Sequence, residues 1–283
     1  VVIHEISMSE EDPETELSQK LFKMIFKDHP YARPIIGTEK NVHSFSRDTV
    51  RTYYASNYVP QNCSIVTVGG ISNSRAQVLA KKYLGSFGSK QKRALNPIQK
   101  IRLTDIPSNP YVGHSKLTDH RLYIGFPIPG IESDDLFSLD VLAMILGQGS
   151  NSRLFQCLKM NNTWCNSVVS YAMTFKDRGM FTIEATPFSK NLKESLLKIC
   201  SEIERMKNEP LSQDEVTRSK ITVERDFIYQ NESVQAMARM LGSFKVLLNN
   251  PRFDEIYIKK IQSLDARSVR EVANRYLDIK KAK

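Results

Sequence analysis

The sequence lacks several features that would assign a function directly. No apolar run approaches the roughly 20 residues that a membrane-spanning helix needs, and we therefore predict no membrane span. The patterns G-x-G-x-x-G, G-x-x-x-x-G-K and G-x-S-x-G are all absent, which argues against a dinucleotide site, a P-loop and a serine-hydrolase nucleophile turn. The run GQGSNSR (147–153) has glycines, but it lacks the lysine and the spacing of a phosphate loop.

Cysteine is scarce and not patterned. The four cysteines form no C-x-x-C pair and no metal-ligand spacing, so they predict neither a zinc cluster nor a disulfide framework. We expect buried free thiols, from which no oxidising compartment follows. These residues are Cys63, Cys157, Cys165 and Cys200.

Charge is biased but dispersed. The formal net charge is +9, yet basic residues cluster only briefly, at 90–93 and 280–283. We therefore predict no nucleic-acid binding, because a basic balance without a basic stripe is weak support for it. Tyr53, Tyr54 and Tyr58 are expected to form a helix face packed on a sheet rather than a stacking platform for bases.

The first 88 residues predict helices around one strand. Apolar residues at helical spacing predict a helix over 13–27, and Pro13 suits an early helical position. A second helix is expected over 44–58 and a third over 74–87, closing at Gly85. The β-branched run NCSIVTVGG (62–70) predicts a strand.

A second unit follows a stretch rich in Gly, Ser, Lys and Pro. We predict domains over 1–88 and 111–283 joined by a linker over 89–110. The second unit has strand patterns and helix patterns, and its helices include one long helical segment over 212–248. The strand patterns cover 120–130, 165–175 and 179–187, and the other helix patterns cover 134–149, 152–159, 192–207, 255–264 and 268–277.

The predicted fold class is α+β, with two related α/β units. We expect each unit to be a mostly antiparallel sheet backed by helices, and the first unit to be incomplete. A helix ending in Tyr-Leu closes each unit, at Tyr83-Leu84 and at Tyr276-Leu277, which is a weak sign of internal duplication.

Several phrases in order resemble the pitrilysin/insulinase-type zinc metallopeptidases. They are VVIHEI (1–6) before an acidic helix, the stretch HPYARPIIGTEKNVHSFSRDTVRTYYASNYVPQNCSIVTVGG (29–70), LGQGSNSRLFQCL (146–158) and DRGMFTIEA (177–185). Each phrase alone is weakly specific, but together and in this order the phrases cover nearly the whole chain. Within this family the phrases resemble those of bacterial-type zinc proteases.

The resemblance implies a zinc site held by two histidines of an H-x-x-E-H helix and by a glutamate further along the chain. That glutamate corresponds to Glu5, whereas H-x-x-E-H occurs nowhere and the five histidines never pair at helical spacing. We therefore expect the sequence to begin inside a longer protein, with Glu5 pointing from a packed helix into an interior metal site. From the residues alone, Glu5 would instead be a surface or helix-start glutamate.

An assisting pair of active members is also absent. The family phrase L-R-x-x-x-x-x-G-Y corresponds here to LKMNNTWCN, in which Lys159, Cys165 and Asn166 replace the arginine, glycine and tyrosine. Two explanations stay open: the chain is part of the N-terminal half of a long two-half enzyme, or it is a short member that serves as a non-catalytic partner subunit.

The resemblance further implies a function. The parent protein would be a zinc-dependent endopeptidase that cleaves unfolded peptides in a closed chamber, and this chain alone would be inactive and would not hold Zn²⁺ tightly. The expected partners are peptide substrates and the remaining segments of the peptidase or a partner subunit. Residues Val168, Val169, Ser170 and Tyr171 are the candidate substrate-binding strand, although an ordinary buried strand is the alternative. His29 is expected to anchor a turn rather than to catalyse.

Overall fold

The computed structural model describes residues 1–87, 110–113 and 120–283. The predicted linker, 89–110, therefore lies outside the described residues except for Pro110, and the predicted domain boundaries stay a prediction.

Helices α1 to α5 cover the first described segment. They are α1 (Val2–Glu11), α2 (Pro13–Phe26), α3 (Glu39–Ser44), α4 (Arg47–Asn57) and α5 (Asn73–Leu84).

Helix α2 confirms the prediction for residues 13–27. Asp12 caps it by accepting hydrogen bonds from the backbone N–H groups of Glu14 and Thr15, and Pro13 occupies its first turn. The helix ends at Lys27, whose φ of 47° is incompatible with further helical turns. Its buried face carries Leu21, Ile25 and Phe26.

The strand predicted over 62–70 is wrong. Residues 63–68 adopt no regular secondary structure, and Ile65 is 59% exposed. A strand requires a hydrogen-bonded neighbour, which β-branched residues favour but cannot supply. Within 1–87 the chain forms no strand at all, so the expected sheet of the first unit is not seen in this part of the structure.

The tyrosines of α4 correct a second expectation. Tyr53, Tyr54 and Tyr58 are 60%, 55% and 55% exposed instead of packed on a sheet. The rings of Tyr54 and Tyr58 stack on each other with centroids 4.7 Å apart. The helix itself is as predicted, but its aromatic face has no sheet to cover it among the described residues.

The second segment builds an antiparallel sheet and confirms the predicted α+β class. The strands are β1 (Leu122–Pro129), β2 (Cys165–Thr174) and β3 (Arg178–Pro187), in the spatial order β1-β3-β2. The helices are α6 (Asp135–Gly147), α7 (Arg153–Phe155), which continues into a π-turn over Gln156–Met160, α8 (Leu192–Asn208), α9 (Gln213–Gln230), α10 (Val234–Leu248), α11 (Phe253–Ser263) and α12 (Ala266–Tyr276).

Helix α6 forms the centre of the core. Apolar residues lie on all of its sides, and its residues from Leu136 to Gly147 are buried, with only Asp140 half-buried. Such a helix must be covered all round. The sheet lies on one side of it, and α9, α11 and α12 pack on the others.

The long helix predicted over 212–248 is two helices. Helix α9 ends at Gln230, and Ser233 begins α10 by accepting a hydrogen bond from the backbone N–H of Ala236. The sequence QNES contains no proline or glycine, so its break depends on this serine cap rather than on a helix breaker.

The Tyr-Leu pairs of the two units end helices in both places but differ in burial. Leu84 is 45% exposed at the end of α5, whereas Leu277 is fully buried after α12.

The four cysteines differ in exposure. Cys157 and Cys165 are buried as expected and Cys200 is half-buried, but Cys63 is exposed, in the segment that lacks a sheet. None of the helices in the described ranges is both long and apolar enough to span a bilayer.

Helix α2 joins the first segment to the sheet. It packs on β1 at Gly125, where a Cβ atom would come within 2.5 Å of Ile25 Cδ1 and 2.9 Å of Leu21 Cδ1. The glycine therefore permits the close approach of helix and strand. On the other face of the sheet lies α6, so β1 is covered on both sides.

We predict that Asp140 makes stability depend on pH. Tyr257 Oη donates a 2.6 Å hydrogen bond to Asp140 Oδ2, and burial raises the pKa of this carboxyl to about 7. An unfolded aspartate has a pKa of about 3.9, so the folded state binds the extra proton and the free energy of unfolding falls as pH rises from about 4 to about 7. In Asp140→Asn this contribution disappears, because the amide does not titrate.

The measurement is urea unfolding of both proteins at pH 5, 6, 7 and 8. The stability of the wild type relative to Asp140→Asn should decrease with pH over this range and level off above about 7. Parallel profiles for the two proteins would contradict the prediction.

Candidate functional site

Strand β2 lies at an edge of the described sheet. It pairs only with β3, in a register that places Val168 opposite Ala185, Ser170 opposite Ile183 and Tyr171 opposite Thr182. The predicted substrate-binding residues are therefore on an edge strand, the position from which a sheet can accept another strand.

The hydrogen-bond pattern of the sheet shows which backbone groups of β2 point outward. Gly125 of β1 exchanges both of its backbone hydrogen bonds with Lys283, so it forms none with Thr182, its partner on β3. In an antiparallel sheet bonded and non-bonded pairs alternate, so Thr182 bonds to Tyr171 on its other side. The N–H and C=O groups of Ser170 consequently point away from β3.

The outward groups of Ser170 are covered by the end of α6. Gln148 Nε2 donates a 3.0 Å hydrogen bond to the Ser170 carbonyl, and Ser170 Oγ donates to the Ala143 carbonyl at 3.0 Å. A Cβ atom on Gly147 would lie 2.6 Å from Ser170 N. The edge of β2 is thus closed at its midpoint by the side chain of Gln148 and by the backbone at Gly147.

The turn after α6 is fixed at its other end as well. Arg153 forms a bidentate ion pair with Glu215 of α9, with N···O distances of 2.8 and 2.7 Å. Both side chains are largely shielded from solvent, and a planar guanidinium that donates two parallel bonds fixes orientation as well as distance. The segment 148–153 is therefore held between β2 and α9.

The side chains of the candidate strand divide between the two faces of the sheet. Val168 and Ser170 face α6 and are buried, whereas Val169 is 37% exposed on the opposite face. On that face Tyr171 Oη donates a short hydrogen bond to Glu184 Oε1. Desolvation raises the pKa of Tyr171, and the Glu184 carboxylate raises it further. Desolvation and Glu184 also raise the pKa of Tyr123 to about 12, so both phenols stay protonated and able to donate.

Glu5 lies on α1 with an exposed side chain, which corrects the expectation of an interior position. The buried residue of this helix is its neighbour Ile6. A zinc site requires at least three protein ligands of the His, Cys, Asp or Glu type. No group of three such residues is close enough to hold a metal ion anywhere in the described part of the chain. These residues alone do not fit a zinc ion, and the role of Glu5 as a ligand stays a prediction.

His29 anchors a turn, as expected. Its Nδ1 accepts a 3.2 Å hydrogen bond from the backbone N–H of Tyr31, and its Nε2 lies 3.9 Å from Asp177 Oδ2 at the β2–β3 turn. The residue is 2% exposed, and burial lowers the pKa of the imidazole despite the nearby carboxylate. Tyr31 Oη also lies 3.3 Å from Asp177 Oδ2, so the loop after α2 is attached to this hairpin.

Sequence reasoning missed Gln148. It lies in the GQGSNSR run, which the sequence suggested only as an unsuitable phosphate loop. A single glutamine after a helix carries no pattern of its own. The one available signal was the glycine before it, because a glycine at a helix end often marks a close approach of backbone to backbone.

Comparison with known proteins finds one matching family model and several similar proteins. A family model described as "Peptidase M16 inactive domain" matches residues 44–223. A protein of Rickettsia bellii named as an uncharacterized zinc protease is 25% identical over 280 residues, which are 97% of this chain and 65% of the relative. A Bacillus subtilis protein with the same description is 25% identical over 273 residues, covering 96% and 65% of the two chains. The chain thus spans just under two thirds of these relatives.

Solved structures show the same fold. A protease from Helicobacter pylori has a TM-score of 0.91 at 22% identity, covering 99% of this chain and 68% of that chain. A structure of a peptidase M16 inactive domain from Pseudomonas fluorescens has a TM-score of 0.85 at 20% identity, covering 99% and 66%.

The fold and the matched model define an α+β domain of the type that the family model describes as the peptidase M16 inactive domain. The chain belongs to the pitrilysin/insulinase-type zinc metallopeptidase family, peptidase M16, as its sequence phrases predicted.

We predict that Gly147→Ala is destabilising because its methyl group would collide with the backbone of Ser170. The expected loss is about 1–3 kcal/mol, typical of overpacking, measured by urea unfolding. Gly70→Ala is the matched control, since a Cβ there meets nothing within 4 Å. Equal stability of the two variants would show that α6 and β2 do not approach as closely as described.

Proposed function

We propose that this chain is the non-catalytic part of a zinc-dependent endopeptidase that cleaves unfolded peptides enclosed in a chamber. Its own contribution is to hold an extended peptide along the outer edge of β2. The observation that carries the proposal is the position of Val168–Tyr171 on an edge strand of a domain matched by the inactive-domain model of this family. The names of the Rickettsia and Bacillus relatives support zinc-dependent proteolysis by the whole protein.

Strand addition suits a peptidase of broad specificity. An added strand is recognised through its backbone N–H and C=O groups, and alternate side chains supply only secondary selectivity. Val169 and Tyr171 would contact side chains on the exposed face, where the Tyr171 hydroxyl donates its proton to Glu184 and can accept a hydrogen bond from a peptide side chain. The net charge of +9 adds a weak attraction for acidic peptides, screened at physiological salt.

Gln148 must move for a peptide to bind at the carbonyl of Ser170, while the backbone of Gly147 stays beside the Ser170 N–H. Its amide occupies the carbonyl that an incoming backbone N–H would use. Gly149, with a φ of 79° and open space around it, provides a nearby position where the backbone can turn without steric cost. We infer that the peptide replaces the Gln148 hydrogen bond with one of its own.

We derive no step through zinc from these residues. A carboxylate such as Glu5 is a suitable oxygen ligand, but the other ligands and the general base would have to come from outside this sequence. The chain would therefore position substrate rather than cleave it.

The alternative is a peptidase-like scaffold or partner subunit with no associated chemistry. The loss of the assisting pair, at Lys159 and Asn166, is compatible with either function. The gene sequence before Val1 separates them: an H-x-x-E-H motif encoded there favours the peptidase, and a continuous reading frame without it favours the scaffold.

We predict that the chain does not bind Zn²⁺ tightly. Calorimetric titration with zinc should give no one-to-one binding in the nanomolar range, because a structural or catalytic site needs three or four ligands. Glu5→Gln should give the same trace as the wild type. Tight one-to-one binding would contradict the prediction. If Glu5→Gln abolished that binding, Glu5 would be a zinc ligand despite its exposed position.

We predict that Gln148→Ala strengthens peptide binding. Removing an amide that competes for the Ser170 carbonyl should raise affinity by roughly 2- to 10-fold, the value of one net hydrogen bond. The measurement is fluorescence anisotropy with a labelled, unfolded, acidic 15-residue peptide. Gln156→Ala is the control, since Gln156 Nε2 donates in the same way to a loop carbonyl, that of Ser150.

The outcomes separate the parts of this proposal. No binding by any variant would overturn strand addition at β2. Binding that is equal in the wild type and in Gln148→Ala would retain a peptide site but would place it away from Ser170.

A further inference from the structure

Gln148, which covers the edge of β2, is connected to α9 through one short turn. Ser152 closes this turn: its Oγ donates to the carbonyl of Gly149 at 2.8 Å, and its backbone N–H donates to the same oxygen at 3.2 Å. Ser152 is only 3% exposed, so water does not compete for these bonds. The residue that follows Gln148 is therefore attached to the residue that precedes Arg153.

The side chain of Arg153 depends on a single partner. Its Nε and Nη2 atoms donate to the carboxylate of Glu215, whereas Nη1 is buried and has no hydrogen-bond partner among the described residues. A guanidinium that is shielded from solvent is costly to leave without a counter-charge. Loss of the Glu215 charge would therefore turn Arg153 toward solvent, and the turn that starts at Gly149 would shift with it.

Glu215 is the fixed end of this connection. It lies in the first turn of α9, where the helix dipole favours a negative charge. Its neighbour Val216 is fully buried, and α9 packs on α6. At the other end, the side chain of Gln148 makes one 3.0 Å hydrogen bond to an edge strand. When the connection breaks, the turn over 148–153 is therefore the part that moves, and α9 stays in place.

We propose that Arg153 and Glu215 are positioning residues that hold Gln148 against β2 and thereby restrict peptide access to the carbonyl of Ser170. The inference rests on the proposed peptide site and adds its regulation: the edge opens when the ion pair breaks. The hydrogen bonds of the Arg153 side chain all go to Glu215. Their effect on a peptide is therefore indirect and passes through the turn to Gln148.

Two variants interrupt the connection at different points. Glu215→Gln removes the charge that holds Arg153, and Ser152→Ala retains the ion pair but removes the Oγ hydrogen bond to the Gly149 carbonyl. The matched control is Glu204→Gln, which removes the carboxylate of another ion pair with a 2.8 Å N···O distance, between Glu204 and Lys207 of α8.

Two measurements are made on each protein. The first is the exchange of the Gln148 side-chain amide protons with water, followed by NMR and assigned by their absence in Gln148→Ala. The second is the affinity for the labelled acidic 15-residue peptide, measured by fluorescence anisotropy with and without Gln148→Ala in the same protein.

We expect Glu215→Gln and Ser152→Ala each to accelerate exchange of the Gln148 amide by about threefold or more, because the hydrogen bond to β2 is then open more often. Each variant should also raise peptide affinity by about twofold or more. That gain should vanish when Gln148→Ala is present, since the group that is positioned has gone. Glu204→Gln should change neither quantity.

Unchanged exchange of the Gln148 amide in both variants would overturn the proposal. A gain in affinity that persists in the presence of Gln148→Ala would also overturn it, because the ion pair would then act elsewhere. Equal acceleration by Glu204→Gln would do the same, since it would indicate general loosening. Absence of peptide binding in every protein would overturn the proposed peptide site instead, and the amide exchange would still decide whether Arg153 and Glu215 position Gln148.

Discussion

The structure depends on the burial of the apolar residues of α6. A helix that is apolar on every side has no stable place at a surface, so the sheet and three helices have to surround it. Gly147 and Ser170 show how tightly this is done, because helix and strand approach until no side chain fits between them. The position of β2, and with it the candidate peptide edge, follows from that contact.

Local patterns predicted the elements whose own residues agree on the start, the spacing and the end of the element. Helix α2 was predictable because Asp12, Pro13 and the spacing of Leu21 and Ile25 all indicate the same element. The three strands of the second segment were predictable for the same reason, and the resemblance of the sequence phrases predicted the family. The errors occur where a pattern requires a distant partner: residues 63–68 are β-branched but have no neighbouring strand, and the tyrosines of α4 have no sheet to cover them.

The candidate site was predictable in part. The strand 168–171 was identified through resemblance, and the structure places it on an edge, although no property of its own sequence indicated that Gln148 would cover it. Glu5 was expected inside because the family resemblance gave it the role of a metal ligand, but only Ile6 of α1 is buried. The residues alone indicated a surface glutamate, and the structure agrees with that alternative.

The contact between α2 and Gly125 ties the first segment to the sheet of the second. Ile25 and Gly125 are 100 positions apart (125 − 25), so docking the helix closes a long loop. The core around α6 closes long loops as well, because α12 (Ala266–Tyr276) packs on α6 (Asp135–Gly147). A side chain at position 125 would separate α2 from β1, and Leu21 and Ile25 would then lose the sheet surface against which they are buried.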